Sequence, residues 1–398
     1  MKFFINSYFG DNQSIGLLSH IKKRLPYGMD DQWMVFSHYT ERGWTVDNLW
    51  HIFTDFYGGQ YAPLAFLSYL VLYAGFGYDP FYFHMFSLLL HIGCVCLVWK
   101  LISSLLRVHG GVSEKQILYV NFITTLLFAV HPINVEAVAW ISALKVLLYA
   151  FFYLLGLLCY LRYIRTSKIF YYVLTIGCFL CSFWGKEQAV TFPLALLIVD
   201  WFTNRNMKNL EVWSEKMSFL IMAFFFGIIT VLSQGKGPYE MIFPLYQRLL
   251  FGCFALVEYI TKSLLPVNLN FFYPFPIVLG EEPPLHYYLY PVVLLFLMGW
   301  IIAYRNNRYL VFGVLLFLVN LLFSIHLFNM SRHAIVADRY MYLSYVGIVF
   351  LIANGIWWLR KRLSYFKAAL VFLFFYCFFL SVYTFHYTKK WENTTMVK

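Results

Sequence analysis

Charge is scarce in this 398-residue chain: only 12% of its residues are Asp, Glu, Lys or Arg. A soluble globular domain carries about 25%, so that class is excluded, and a disordered chain or a collagen is excluded with it. The apolar residues do not alternate with polar ones, which excludes an outer-membrane β-barrel. The chain has no GxxxxGK[ST] segment, no GxGxxG after a strand and no HExxH, so a P-loop, a dinucleotide fingerprint and a zincin helix are absent. Its histidines are too scattered for a metal cage, and neither a metal nor a bound cofactor is expected. The seven cysteines all lie in apolar runs. Cys178 and Cys181 have CxxC spacing but no second pair and no nearby His, which favours small packing residues over zinc or disulfide chemistry. Acidic residues are the scarcer sign, 19 against 30 basic, for a net charge of +11. No basic tract mixes with aromatics in the manner of a nucleic-acid site, so no nucleic-acid partner is expected. The excess reads as cytoplasmic loop charge.

What the chain has instead is hydrophobicity: 61% of residues are hydrophobic and the mean hydropathy is +0.65. The runs are long and unbroken, which marks an all-α, polytopic helical membrane protein. Aromatic residues make up 22%, and many of the Tyr and Trp should lie at the membrane interfaces. About ten spans are expected, at 81–106, 116–130, 137–161, 169–185, 189–202, 217–233, 288–303, 309–327, 340–359 and 367–387. Basic residues follow alternate spans: Lys100, Arg107 and Lys115; Arg162, Arg165 and Lys168; Arg205, Lys208 and Lys216; Arg305 and Arg308; Arg360, Lys361, Arg362 and Lys367. These loops are assigned to the cytoplasm, with Asp200 as a boundary charge. Two spans already separate loop 203–216 from loop 304–308, so segment 245–265 cannot cross once. It is expected to lie along the outer interface, and segment 61–77 likewise. The organisation predicted is an atypical N-terminal segment 1–29, a first outer loop 30–80 with an interfacial helix, a bundle 81–390 and a tail 391–398. Residues 1–29 carry Lys22, Lys23 and Arg24 and no secretory signal.

Candidate chemistry gathers in the outward loops. They hold Asp30 and Asp31, then His131 and Glu136 in HPxxxE, then Lys186 and Glu187, then Arg332 and Asp338-Arg339-Tyr340, with Lys145 inside a span. Ionisable groups at membrane depth are costly and face a cavity or a partner. A polar cavity at the outer face is therefore expected. Structural readings stand beside the functional ones. Asp30 and Asp31 could be a helix cap, and His131-Pro132 could simply end a helix. Glu136 could cap the next one. Lys186-Glu187 and Asp338-Arg339 could be local ion pairs.

The segments DPFYFHMFSLLLHIGCVCLVWKLI, AVHPINVEAVAWISALKVLLYAFFYLLGLLCYLRY, GKEQAVTFPLALLIVDWF, NLNFFYPFP and ADRYMYLSYVGI follow one another in order. Over residues 28–393 they resemble the membrane domain of the transmembrane O-mannosyltransferase-like proteins that carry tetratricopeptide repeats, members of the GT-C glycosyltransferase superfamily. The resemblance implies a GT-C-like bundle. It implies inverting transfer of a sugar from a polyprenyl-phosphate carrier to an acceptor hydroxyl, often a protein Ser or Thr, at the outer face of the plasma (inner) membrane. It makes Asp30 and Asp31 the catalytic acidic pair, with Glu136 beside them. It carries over by motif position to His131, Lys145, Lys186, Asp338 and Arg339 as well; with Glu187, Arg332 and Tyr340 from the outward loops, these are the expected substrate-binding residues. The partners implied are membrane lipid, the lipid-linked sugar and an acceptor protein. The chain departs from the family pattern in three places. The transmembrane helix expected ahead of the acidic pair is not seen, Lys145 is followed by Val146 where the family has Asp, and the sequence stops at Trp391-Glu392-Asn393, where a repeat domain would start.

The chemistry is compatible with that implication. A hydroxyl attacking an anomeric carbon must lose a proton to a base, a contribution of about 10²–10⁴-fold, and Lys or Arg stabilises the departing phosphate. Two other readings compete: a transporter or flippase of a lipid-linked solute, and an inactive membrane scaffold. Transporters favour inverted repeats, and no repeat is visible here.

Overall fold

The computed structural model describes residues 31–234, 243–327 and 334–391. Asp30, Arg332, segment 1–29 and the tail beyond Trp391 lie outside them, as does the side chain of Asp31.

The described chain is almost entirely helical, and it is a polytopic membrane protein. Three short helices open it: α1 (Asp31–Met34), α2 (His38–Glu41) and α3 (Val46–Thr54). α4 (Pro63–Phe76) underlies them. Next come α5 (Pro80–His109), α6 (Glu114–Val130), α7 (Val135–Ala139), α8 (Leu144–Thr166), α9 (Ile169–Gly185), α10 (Phe192–Phe202), α11 (Leu210–Gln234) and α12 (Leu245–Leu264). The rest is α13 (Leu289–Ala303), α14 (Arg308–Leu321), α15 (Met341–Trp358) and α16 (Leu363–Lys389). Two short strands, β1 (Tyr273–Pro274) and β2 (Ala334–Val336), pair antiparallel.

Local chemistry sets the boundaries. Asp79 caps α5 through the Phe81 N–H at 3.0 Å, Pro80 opens the first turn, and Gly110 ends the helix at φ 76°. Ser113 caps α6, and Asn307 caps α14. α6 stops at His131, because Pro132 has no N–H to continue the ladder.

Among the described residues six helical segments are long and apolar enough to cross a membrane: Pro80–His109, Ile141–Thr166, Leu210–Ser233, Leu285–Ala303, Asp338–Lys361 and Leu363–Lys389. A seventh is possible if Glu114–Val130 and Pro132–Ala139, bent by 52°, form one span. Three of the expected spans are shorter helices in the structure. α9, α10 and α14 have 17, 11 and 14 residues, or about 26, 17 and 21 Å of helix, against about 30 Å of hydrocarbon. α9 breaks where Lys186 turns extended, and a 3₁₀ turn, Glu187–Thr191, comes before Pro193 of α10. α12 is not among the spanning segments. It packs on loop-end residues, with Gly252 against the Ile325 carbonyl and Tyr259 accepting from the Ala337 N–H at 3.2 Å.

The core is apolar and closely packed. α14 and α15 meet at two glycines, where a Cβ on Gly347 would lie 2.5 Å from the Gly313 oxygen. Small residues permit such approach between membrane helices.

The loops collect at two ends. At one end, His109 Nδ1 meets the Phe202 carbonyl at 2.8 Å, and Arg308 donates to Asn204 and to the Trp201 carbonyl. Loops 203–209 and 304–307 therefore lie together, as their basic residues suggested. Asp200 at this end is not a boundary charge. It is fully buried, 2.5 Å from the buried Lys216 ammonium, and it accepts from Tyr160 at 2.8 Å. Glu215 closes the cluster by taking two bonds from Arg205, at 2.6 and 2.9 Å. Sequence position near a span end gave no sign of this burial, because the partners lie on three different segments.

Candidate functional site

The other end holds most of the candidate residues. Its frame is the broken stretch after α6. His131 caps the following 3₁₀ turn, its Nδ1 accepting from the Ile133 N–H at 3.2 Å, and its ring packs on Tyr345. The helix-ending reading of His131 is thus what the local geometry displays. The turn delivers Glu136 into the first turn of α7, fully buried.

Glu136 accepts from both the backbone and the side chain of one residue. Its Oε2 accepts from the Arg339 backbone N–H at 2.6 Å, and its Oε1 accepts from the Arg339 guanidinium. The pair is largely withdrawn from water, with Glu136 1% and Arg339 19% exposed. The guanidinium also stands over the Trp140 ring at 5.0 Å and the Tyr340 ring at 5.1 Å. Lys186 is buried, and its ammonium lies over the same Tyr340 ring at 4.7 Å. Two cations from distant segments therefore share one aromatic ring, and a ring face attracts cations. Glu187 follows as a half-buried residue opening the next 3₁₀ turn.

Asp338, fully buried, takes a different partner. The Tyr273 hydroxyl donates to it at 3.0 and 3.2 Å. That hydroxyl also accepts from the Asn270 N–H at 2.7 Å and from the Lys262 ammonium at 3.2 Å. Lys262 in turn pairs with Glu258 at 3.2 Å. Burial, and then the Asp338 charge, push the Tyr273 hydroxyl above its ordinary value, so it keeps its proton.

Lys145 reaches the opening segment. Its ammonium donates to Gln60 Oε1 at 2.5 Å and lies 3.7 Å from Met34 Sδ. Met34 closes α1, the helix that begins at Asp31. The turn carrying Gln60 is tight: Gly58 and Gly59 have φ of 59° and 71°, and a Cβ on Gly58 would collide with Trp33. α1 packs on the 3₁₀ turn Ile141–Ala143, while α7 packs on the turn Asp338–Tyr340. Segment 135–143 thus stands between the acidic helix and the Arg339 turn.

Glu136, Lys186, Arg339 and Tyr340 come together, with Asp338 one residue along. Lys145, with Gln60 and Met34, forms a neighbouring group. Asp30 and Arg332 lie outside the described residues. The sequence reading missed Tyr273, Lys262, Trp140 and Gln60. The segment NLNFFYPFP was visible as a motif, but its tyrosine bears on Asp338 only through the fold. Among the described residues no three His, Cys, Asp or Glu side chains converge as a metal cage would.

No family model matches the chain, and no solved structure does. Curated relatives do. The chain is 33% identical over 189 residues to the human protein O-mannosyl-transferase TMTC2, covering 43% of this chain and 21% of that protein. It is 31% identical over 167 residues to human TMTC4, covering 37% and 22%. It is 28% identical over 172 residues to Drosophila melanogaster Tmtc3, covering 38% and 18%. The chain spans about a fifth of the length of the curated relatives it matches. Over about two fifths of its length, then, the chain is similar to protein O-mannosyl-transferases, the family that its motifs resemble.

Proposed function

We propose that the chain carries the membrane part of a GT-C-type glycosyltransferase. It moves a sugar, mannose by analogy with its relatives, from a polyprenyl-phosphate carrier to a protein Ser or Thr hydroxyl at the outer face. The observation that carries this reading is the Arg339 guanidinium, fixed by Glu136 and sharing the Tyr340 ring with Lys186. A planar fork and a compact ammonium together suit phosphate oxygens. In this reading Arg339 and Lys186 receive the leaving phosphate, and Glu136 orients Arg339. Asp30 takes the proton of the attacking hydroxyl, with Asp31 shaping its position and Lys145 setting the field beside α1. The acidic residues lie in the first outer loop, 30–80, and the phosphate site in the bundle that follows.

The test is transfer from polyprenyl-phosphate mannose to a Ser/Thr peptide by the purified chain in lipid vesicles. Asp30→Asn keeps size and hydrogen bonding but removes the base, so turnover should fall by about 10²-fold or more while donor binding survives. Wild-type turnover in a folded Asp30→Asn protein would refute the assignment and make Glu136 the next base to test.

A further inference from the structure

We infer that Tyr273 is a positioning residue for the phosphate-binding Arg339, acting through Asp338. The inference rests on the functional reading above. The hydrogen bonds at the Tyr273 hydroxyl fix its direction. An ammonium and a backbone N–H can only donate, and Lys262 and the Asn270 N–H both point at this oxygen. They occupy its two lone pairs, so its one proton must go to Asp338. Asp338 is fully buried, and this bond ties it to the β1 segment. β1 itself pairs with β2, which leads into the turn Asp338–Tyr340.

The dipeptide Asp338-Arg339 is therefore held from two sides. Asp338 is anchored by its side chain to Tyr273, and Arg339 is anchored to Glu136 by its backbone and its guanidinium. Glu136 holds the Arg339 side of the turn, and the Tyr273 bond holds the Asp338 side. Together they set how far the guanidinium projects beside Tyr340. Positioning of this kind matters in a site that works by placing fixed charge, because small misplacement costs binding and rate.

Tyr273→Phe removes the hydroxyl and keeps the ring. It should raise the KM for polyprenyl-phosphate mannose at least tenfold, while kcat changes by less than about threefold. A merely structural role would instead reduce the folded fraction and leave the KM of the remaining enzyme unchanged. In an Arg339→Gln background Tyr273→Phe should add nothing to KM, because its effect passes through Arg339. Lys262→Met, which keeps the Tyr273 hydroxyl but removes the cation that orients it, should shift KM in the same direction by a smaller factor. If Tyr273→Phe does not fold, Lys262→Met decides the matter, and an unchanged KM overturns the inference. If Arg339→Gln itself leaves KM unchanged, the phosphate reading fails. If Arg339→Gln raises KM and Tyr273→Phe does not, only the positioning role fails.

Discussion

Replacing Glu136 by Gln is the sharpest perturbation of the site, because it changes charge and donor pattern at nearly constant volume. Glu136 is an acceptor at both oxygens, and both bonds go to Arg339. A carboxamide offers one acceptor oxygen and one NH₂. Whichever way it is turned, its NH₂ faces a donor: the Arg339 N–H, held 2.6 Å away in the native pair, or the guanidinium. One charge-assisted bond is lost, at about 1.5–3 kcal/mol, and the guanidinium loses its counter-ion. Breaking a fully buried pair costs about 3–5 kcal/mol. Arg339 is 19% exposed and can be partly hydrated, which places the expected loss near the low end, about 2–3 kcal/mol. The comparison that isolates the pair is a double-mutant cycle of Glu136→Gln, Arg339→Gln and both, read by denaturant unfolding in detergent micelles. Arg339→Gln strands a buried carboxylate, so each single change should be costly, and the double should cost less than their sum by about 1.5 kcal/mol or more. Donor KM should rise in all three. If the two single effects add to within about 0.5 kcal/mol, the pair does not hold the site together.

Two further outcomes are expected away from the site. Lys216→Met leaves the fully buried Asp200 with Arg205 at 3.2 Å and the Tyr160 hydroxyl and should destabilise the fold by about 3 kcal/mol, the low end for a broken buried pair, while donor KM of the folded fraction stays unchanged; a KM shift would show that this end communicates with the transfer site. Gly347→Leu drives a side chain into the Gly313 oxygen and the Phe317 nitrogen and should abolish folded yield in size-exclusion chromatography, whereas Gly355→Ala, with nothing within 4 Å, should be tolerated.

The sequence made the class legible because a membrane leaves few alternatives: long apolar runs must be helices. It also sorted the loops, since Arg308 and Asn204 do meet, at the end where basic residues had placed them both. It set the span ends less well, because hydropathy cannot see that Lys186 turns extended or that α14 stops at Leu321, six residues before the expected end, yet the short α9 and α10 still run between the two ends, to Lys186 at one and to Asp200 at the other. It listed Glu136 and Arg339 as separate candidates. Their pairing joins positions 203 apart, and nothing local announces it. The alternatives weighed for Arg339 concerned its neighbour Asp338, yet successive residues point different ways, one to Tyr273 and the other to Glu136. Asp200 shows the same limit from the other side: a charge one turn from a helix end looks solvated until its partners are known.

The two charged clusters also bear on where a lipid phosphate could be received. Tyr160, in one cluster, and Lys145, in the group beside the other, lie on one helix, α8, about 22 Å apart along its axis. That is most of a hydrocarbon layer of about 30 Å, so each cluster sits near one boundary, the depth a carrier's phosphate must occupy while its tail stays in the bilayer. Depth alone does not choose between the ends, but the surroundings of the cations do. At the Asp200 end, Lys216 contacts two carboxylates, Asp200 and Glu215, and so does Arg205. An arriving phosphate would meet anions already in place and would have to displace them. At the other end, Arg339 pairs with Glu136 and also lies over the rings of Trp140 and Tyr340, while Lys186 lies over Tyr340. A ring quadrupole holds a cation by about 0.5–2 kcal/mol, less than a charge-assisted bond to phosphate returns. Aromatic faces attract a cation without adding net negative charge that an arriving phosphate would have to meet, and that asymmetry favours the Arg339 end for the donor.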